Sequence, residues 1–409
     1  MSLTLQQIYE RYSVRTAARV IEIKRRNTDG TYETDWQDVE TLSGLKTIDA
    51  GLGAINYSLS NSDYNFGMVN VGNVTITFNS KNGQFDDEGN RVSIFFGYLR
   101  HRSLIRIRDG YVDPTTSDDV LTTVFEGFID ATATGTKVDD ENLKQSIQCV
   151  DLLSFLLKFY TISDMGTLTS TTLSDLIYEI LNRSEFTDFF TVSAVNIVPG
   201  YDILTFDIAQ YEGQTQLFTL FENFSVGHSF FYVRDEIFYY QEITSAATND
   251  LVIDEKKLIR FSSYANGLEK VFERWYWSND DTVSYESAEN TYNRSKTIEI
   301  DGVQNATDRQ AVLNAVGVIA KTQKESFTIE IPYYPNVFIL EKITVSSPEL
   351  IPSDAIVWGI TRWGESGKVF RQAISANNIY TSKFWRVKSV KHTASGTNYK
   401  TVLNLEEIV

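Results

Sequence analysis

Histidine and cysteine, the residue types that most often act as bases, nucleophiles or metal ligands, are scarce in this sequence. The three histidines, His101, His228 and His392, are far apart and lack the i, i+4 pairing of a helical zinc site. Cys149 is the single cysteine, so one chain can form neither a disulfide nor a site of several thiolates. We therefore expect all four residues to be structural, and Cys149 to be a small buried hydrophobe on a strand.

Signatures of common catalytic chemistry are also missing from the sequence. There is no Gly-x-Ser-x-Gly nucleophile elbow, no phosphate-binding loop and no dinucleotide fingerprint. The sequence therefore predicts a protein that is not an enzyme, with no catalytic, cofactor-binding or metal site and no cofactor.

Acidic clusters are the remaining places where an ion could bind. Asp86, Asp87 and Glu88 lie in a Gly-containing loop whose carboxylates could hold Ca²⁺, but their spacing does not match a helix-loop-helix calcium site. We favour a solvated loop tip, and whether this loop binds an ion stays open. The clusters at 139–141 and 280–281 are typical of turns.

Aromatic residues are concentrated in one predicted hairpin, where 230–232 (Phe-Phe-Tyr) and 238–240 (Phe-Tyr-Tyr) flank a short polar turn. Such rings could form a sugar-binding platform, and glycoside hydrolysis would need two facing carboxylates. With 54 acidic residues, sequence spacing selects no such pair. Because strand residues alternate between faces, we favour rings divided between core and interface.

Composition indicates which elements must position these residues. The 409 residues suffice for two or three domains, and an aromatic content of 13% favours strands over helices. The net charge of −17 opposes binding to nucleic-acid phosphates or anionic membranes. The polar start and the lack of an 18-residue apolar run predict a chain made in the cytoplasm, without a membrane segment.

Periodicity predicts three regions along the chain. Residues 1–150 are expected to form an N-terminal helix and a first β-barrel, with strands at 19–24, 31–39, 54–59, 73–78, 103–108, 122–129 and 143–150. Residues 151–265 are expected to form an α+β domain, with helices at 151–159, from Thr172 onward and at 214–227, a strand at 191–198 and the aromatic hairpin. Residues 266–409 are expected to form a second barrel, with strands at 271–277, 295–300, 327–331, 337–345, 384–392 and 400–405.

One helix, 306–324, with an apolar stripe rich in small residues, is expected inside the third region. The borders of the three regions could be interleaved. The predicted fold class is mainly β with an α+β insert.

This order of elements resembles the baseplate hub proteins of phage tails, and also hub modules of contractile injection systems. The resemblance rests on the helix and hairpin of 220–235 (LFENFSVGHSFFYVRD) and on the helix, strand, Pro-containing loop and strand of 306–345. The strand pair 384–392 and 399–406 matches the closing pair of that family. Where the family often has Gly-Asp before the strand at Val337, this chain has Pro335-Asn336.

The resemblance implies a structural virion protein with two small tail-tube-like β-barrels and a mixed helix and hairpin domain. It further implies a homotrimeric ring in the virion tail that joins the tail tube to the tail tip. The implied partners are a distal tail or tail tube protein, a tip, spike or fibre protein and a tape measure protein, with no specific nucleic-acid binding. Two alternatives stay open: a distal tail protein, which would form a sixfold ring, and a carbohydrate-binding or receptor-binding β-protein of the tail.

Overall fold

A computed structural model describes the chain at residues 2–27, 29–43, 46, 50–61, 66–71, 73–79, 98, 102–139, 142–199, 201–224, 229–242, 248–254, 257–265, 271–288, 292–321, 324, 326–346, 384–395 and 398–408. Within these residues the chain forms four β-sheets and seven α-helices, so the mainly β prediction is confirmed.

The first large sheet, sheet one, has seven strands that are all antiparallel to their neighbours, in the order β2-β1-β7-β8-β9-β6-β3. The strands are β1 (Ala17–Lys24), β2 (Gln37–Asp38), β3 (Gly51–Leu52), β6 (Val74–Asn79), β7 (Leu104–Val112), β8 (Asp119–Asp139) and β9 (Asn142–Asp151).

The second large sheet, sheet two, follows the order β13-β19-β20-β21-β18-β14. These strands are β13 (Thr248–Asp254), β14 (Arg260–Ala265), β18 (Ser326–Pro332), β19 (Lys342–Ser346), β20 (Phe384–Ser395) and β21 (Asn398–Glu407). Two strands from the N-terminal part, β4 (Ile55–Asn61) and β5 (Phe66–Val71), join this sheet as well, because β4 pairs with β20 and β5 with β4. N-terminal residues therefore complete a C-terminal sheet.

Two three-stranded sheets and the helices complete the fold. One small sheet contains β10 (Ile197–Val198), β11 (Ser229–Arg234) and β12 (Ile237–Glu242), and the other contains β15 (Arg274–Trp277), β16 (Asp280–Glu286) and β17 (Ser295–Ile298). The helices are α1 (Leu5–Arg11), α2 (Val39–Ser43), α3 (Leu152–Phe159), α4 (Leu173–Leu181), α5 (Ser184–Thr187), α6 (Leu217–Phe224) and α7 (Ala306–Ala320).

Local capping explains where two of the helices begin. Thr4 and Gln7 form a reciprocal capping box at the start of α1, with the Thr4 Oγ1 accepting from the Gln7 N–H at 3.2 Å. The Asp151 carboxylate accepts from the Ser154 N–H at 2.8 Å at the start of α3. The apolar spacing predicted a helix at both places, because such spacing is a local feature, and the structure adds the capping residues.

The buried apolar residues form two cores. The first lies between sheet one and sheet two and includes Ile21 and Ile107 from one sheet and Ile329 and Leu403 from the other. The second joins helices α3, α4 and α6 to α7 and to the small sheet of β15, where Trp275 is fully buried. The region borders at 150 and 265 stay a prediction, with the second core joining residues on both sides of 265.

The strands described in sheet one and sheet two do not close by hydrogen bonding between their end strands, which are β2 and β3 in the first and β13 and β14 in the second. Sheet one lies in the region expected to form the first barrel. Sheet two differs from the expected second barrel, because it takes β4, β5, β13 and β14 from outside 266–409, and β15 and β17 lie in a separate small sheet. Residues of both large sheets contribute to one core.

Three predicted strands are wrong over most of their length. In 31–39 only β2 is a strand, since the segment bends and Trp36 donates from its indole N–H to Glu236 at 3.2 Å. In 191–198 a short 3-10 turn at Ala194–Asn196 leaves only β10. In 337–345 the strand starts only at Lys342, because the Glu341 carboxylate accepts from the Phe338 N–H at 2.9 Å and holds a turn there.

Candidate functional site

The structure places one of the three histidines, and its role there is structural. His392 on β20 is buried, its Nδ1 lies 3.2 Å from Thr401 Oγ1, and its ring packs edge-on to Tyr333. Burial lowers the pKa of His392 to about 4, so the ring is neutral near pH 7. His101 and His228 lie outside the described residues.

Cys149 on β9 is fully buried beside Ile147 and opposite Ile129 of β8. Burial raises the pKa of its thiol far above the usual range, which disfavours the reactive thiolate.

Of the acidic clusters, only 280–281 can be described in side-chain detail. Asp280 accepts from the Arg309 guanidinium at 2.8 Å and from the Thr282 N–H at 3.2 Å, which makes it a structural residue between β16 and α7. The loop of Asp86, Asp87 and Glu88 lies outside the described residues, as do Asp140 and Glu141. Among the residues that are described, no three His, Cys, Asp or Glu side chains are grouped as metal ligands.

The aromatic hairpin of β11 and β12 contributes side chains to both cores. Phe231, Phe238 and Tyr240 are buried in the second core, and Phe230 is buried in the first. The division follows from strand alternation, which places neighbouring residues on opposite faces. These four rings have almost no exposed surface, so they cannot form the sugar platform considered from the sequence.

The turn of this hairpin contacts sheet one through a charged side chain. Its two central residues, Asp235 and Glu236, have φ of 51° and 59°, the left-handed pair that a two-residue turn of this type requires. The Glu236 carboxylate accepts from Arg106 of β7 at 3.3 Å.

On its other side the hairpin is tied to sheet two. Arg234 donates to Glu341 at 2.7 Å, just before β19. The hairpin is therefore anchored to both large sheets by charged side chains.

A buried ion pair connects the two large sheets directly. Arg19 of β1 and Asp109 of β7 form two hydrogen bonds of 2.7 and 3.1 Å, and the Tyr333 hydroxyl donates to the same carboxylate. Arg19 also donates to the Ala394 carbonyl of β20 at 3.1 Å. The pKa of Arg19 is subject to opposing effects: burial lowers it, while the Asp109 carboxylate raises it, with a net rise.

Sequence reasoning missed this pair, although a signal for it was present. Arg19 shares the core-facing positions of β1 with Ile21 and Ile23, and Asp109 shares those of β7 with Ile105 and Ile107. Opposite charges at core-facing positions of two strands are the pattern of a buried pair, because an unpaired buried charge is costly.

A cavity of about 40 Å³ lies where β8, the hairpin turn and the loop before β19 meet. Its lining includes two carboxyl groups with raised pKa values: burial is the main cause at both, raising Glu126 to about 8 and Asp151 to about 6. For Glu126 the nearby Glu236 carboxylate adds to the rise. The volume suits a water molecule, not an organic cofactor.

These ion pairs and hydrogen bonds can hold sheets and helices in fixed relative positions. No helix in the described part of the chain has the length and apolarity needed to cross a membrane.

Comparison with known proteins finds similarity only at the level of structure. No family model matches the sequence, and no curated protein matches it. Three solved structures have the same fold over nearly their whole length.

The first is the 43 kDa tail protein of prophage MuSo2 from Shewanella oneidensis, with a TM-score of 0.51 and 11% identity, covering 95% of this chain and 97% of that one. The second is the tail protein from Neisseria meningitidis MC58, with a TM-score of 0.53 and 9% identity, covering 96% and 97%. The third is the prophage tail protein gp18 from Listeria monocytogenes EGD-e, with a TM-score of 0.51 and 10% identity, covering 95% and 94%. The resemblance to phage tail proteins and the mainly β fold class are thus confirmed, whereas the described strands form no closed barrel.

Proposed function

We propose that this chain is a structural protein of a phage-type tail, a baseplate hub that forms a homotrimeric ring between the tail tube and the tail tip. One observation carries the proposal: the fold matches that of prophage tail proteins across 94 to 97% of their length, so the likeness includes the whole architecture and not one module. As a fold-level analogy, it needs a direct test of assembly.

The way the two sheets are joined supports a structural role. A shared core, the crossing of β4 into sheet two and the Arg19–Asp109 pair hold the sheets as one unit. A ring subunit that transmits force along a tail needs such rigidity. The partners implied for the ring are a distal tail or tail tube protein on one face and a tip, spike or fibre protein on the other, with a tape measure protein as a further partner and the virion tail as its location.

We place contacts between subunits at the end strands of sheet two. The edge strands of a sheet present backbone N–H and C=O groups to a neighbour. Exposed apolar side chains lie at two edges of sheet two: Val252 on β13 is 38% exposed, and Ile259, next to β14, is 54% exposed. A second copy of the chain could continue the sheet at these edges.

Sedimentation and negative-stain imaging of the purified chain test the proposal. We expect a threefold ring with a mass near 140 kDa, three times the 46.5 kDa of one chain. A sixfold ring would instead identify the distal tail alternative, and a monomer at high concentration with no ring would overturn both.

A matched pair of variants tests where the subunits meet. Ile259→Lys should dissociate the trimer, whereas Val318→Lys, on α7 with a similar exposure of 52%, should leave it intact. An intact ring with Ile259→Lys would reject this placement of the interface without rejecting the ring.

A further inference from the structure

An open cleft of about 600 Å³ lies between the rim of sheet one and helices α3 and α5. One wall is formed by the end of β1 and the start of β7, and the other by Phe155 and Phe159 of α3 and Phe189 after α5. None of the contacts that join the two large sheets uses this cleft, so its lining needs a separate explanation.

The cleft is lined by a continuous series of aromatic rings. The ring centroids of Tyr32 and Phe189 are 5.3 Å apart in an edge-on arrangement, and those of Phe128 and Phe155 are 4.8 Å apart. The rings of Phe155 and Phe159 are parallel, with their centroids 6.2 Å apart. Phe159 is 46% exposed, so part of this aromatic surface is open to solvent. An aromatic surface of this kind is typical of sites that bind a partner's apolar side chains.

Two guanidinium groups lie among these rings. The Arg102 guanidinium carbon is 4.0 Å from the centre of the Phe159 ring, and the Arg102 Nε is buried with no hydrogen-bond partner among the described residues. Burial raises the pKa of Tyr32 to about 12, and the charges of Arg26 and Arg102 oppose that rise. Both arginines line the cleft together with Tyr32. Within the part of the chain that the structure describes, neither arginine is in an ion pair with a carboxylate.

The position of Arg102 is held by the backbone. Its φ of 67° is in the left-handed region that favours glycine, its N–H donates to the Ile129 carbonyl at 2.9 Å, and its carbonyl accepts from the Tyr32 hydroxyl at 2.9 Å. Strained positions of this kind persist when the surroundings enforce them, often at binding sites. The side chain is thus directed over α3 before any partner arrives.

The charge of this part of the cleft contrasts with that of the chain as a whole, which carries a net −17. Several arginines elsewhere are paired with acids, as Arg19 is with Asp109 and Arg309 with Asp280. Three acidic residues line the cleft: Glu185 and Asp188 lie on the α5 wall, and Glu33 is in an ion pair with Arg25 at 2.9 Å. The end formed by Arg26 and Arg102 is therefore complementary to an anionic group that carries an apolar neighbour.

We propose that this cleft binds a segment of a partner protein that presents a carboxylate next to an aromatic or aliphatic side chain. The carboxylate would accept hydrogen bonds from Arg102 and Arg26, and the apolar side chain would pack against Phe155 and Phe159. A neutral sugar would stack on the rings but offer no negative charge to either guanidinium, which is why a protein segment is favoured. The inference does not depend on the ring symmetry, since the cleft lies within one chain.

Selection from a library of peptides with about twelve random residues, displayed on their encoding RNA, tests the proposal with the full chain as bait. We expect enriched peptides to share an Asp or Glu beside an apolar residue. Fluorescence polarisation should then show that Arg102→Gln and Phe159→Ala each weaken binding by about tenfold or more, as expected for the loss of a charge-assisted contact or of a packed ring.

Two controls keep the test specific. Arg274→Gln removes an arginine of the small β15 sheet and should leave the affinity unchanged, and Arg102→Lys, which keeps the charge, should lose less affinity than Arg102→Gln. Unfolding curves of all variants identify any that fail to fold, in which case Arg26→Gln replaces them. No enrichment, enrichment of neutral or basic peptides, or binding of neutral oligosaccharides alone would overturn the proposal.

Discussion

Arg19 and Asp109 occupy directly opposed positions of β1 and β7, and their side chains form a buried ion pair with two hydrogen bonds. The pair also reaches sheet two, through Tyr333 on the carboxylate and the Ala394 carbonyl on the guanidinium. One charge pair thus makes contacts both between two strands and between the two large sheets.

Removing one member of this pair should destabilise the protein strongly. Asp109→Asn leaves the Arg19 charge buried without its counter-ion, so we expect a loss of about 3 to 5 kcal/mol in the free energy of unfolding. Denaturant titration measures the loss. Glu286→Gln, which breaks the exposed pair with Arg274, is the control and should cost less than about 1 kcal/mol; equal effects of the two variants would contradict the role assigned to the buried pair.

Helix α6 should tolerate truncation poorly on its buried face. Leu220 and Phe221 are both fully buried in the second core, and replacing either by Ala should cost roughly 2 to 5 kcal/mol through lost burial and a cavity. Thermal or denaturant unfolding tests this. Glu222→Ala, at an exposed position of the same helix, should change stability by less than about 0.5 kcal/mol. Melting curves of Leu220→Ala and Phe221→Ala that match the parent would show that this helix face is not buried.

The Cys149 thiol should be inert in the folded protein. Burial raises its pKa and excludes reagents, so a thiol reagent should label it at the rate of unfolding rather than at the rate of an exposed thiol. Val318→Cys adds an exposed thiol on α7 and serves as the reactive control. Rapid labelling of Cys149 in the native protein would contradict the prediction.

Glu126 should make stability fall as pH rises above 6.5. Burial raises its pKa to about 8, whereas an unfolded Glu titrates near 4.3, so between these values the folded state holds a proton that the unfolded state has released. The contribution of Glu126 to the free energy of unfolding is fully present below its pKa in the unfolded state. That contribution is lost as the pH rises through its pKa in the folded state. The slope can reach about 1.4 kcal/mol per pH unit.

Comparison with Glu126→Gln isolates this effect. Arg106 lies directly opposite Glu126, but its guanidinium binds Glu22 at 2.8 Å and Glu236. Burial therefore outweighs the lowering effect of the Arg106 charge on the pKa of Glu126. From pH 6.5 to 8 the variant should lose less stability than the parent; the window lies above the range in which His392 contributes a slope of opposite sign. Parallel pH profiles would show that Glu126 is ionised in the fold.

The proposed trimer should be at least as stable in moderate salt as in low salt. Three chains of −17 give a formal charge of −51, and salt screens repulsion over about 10 Å at 0.1 M. Apolar contacts between subunits would be unaffected by screening. Sedimentation across a salt series tests this, and dissociation at higher salt would show that ion pairs between subunits dominate.

Local features of the sequence were sufficient to predict most elements. The helix at α3 follows from its apolar residues, and the β11–β12 hairpin from two aromatic runs around a polar turn. The wrong predictions also have local causes. The Glu341 carboxylate accepts a hydrogen bond from the Phe338 N–H, and β19 therefore begins only at Lys342. Periodicity does not reveal such competition between a side chain and strand pairing for the backbone.

Tertiary structure alone decided which elements meet. Alternation predicts a strand at 54–59, which the structure shows as β4, but its pairing with β20, more than 300 residues later, depends on the edge that the folded sheet offers. The same holds for the cleft, where Arg102 and Phe159 come from separate elements. The sequence by itself determined the mainly β class, the charge and the order of elements, because these depend on composition and near neighbours. The shared core, the buried pair and the cleft depend on long-range packing, which only the fold defines.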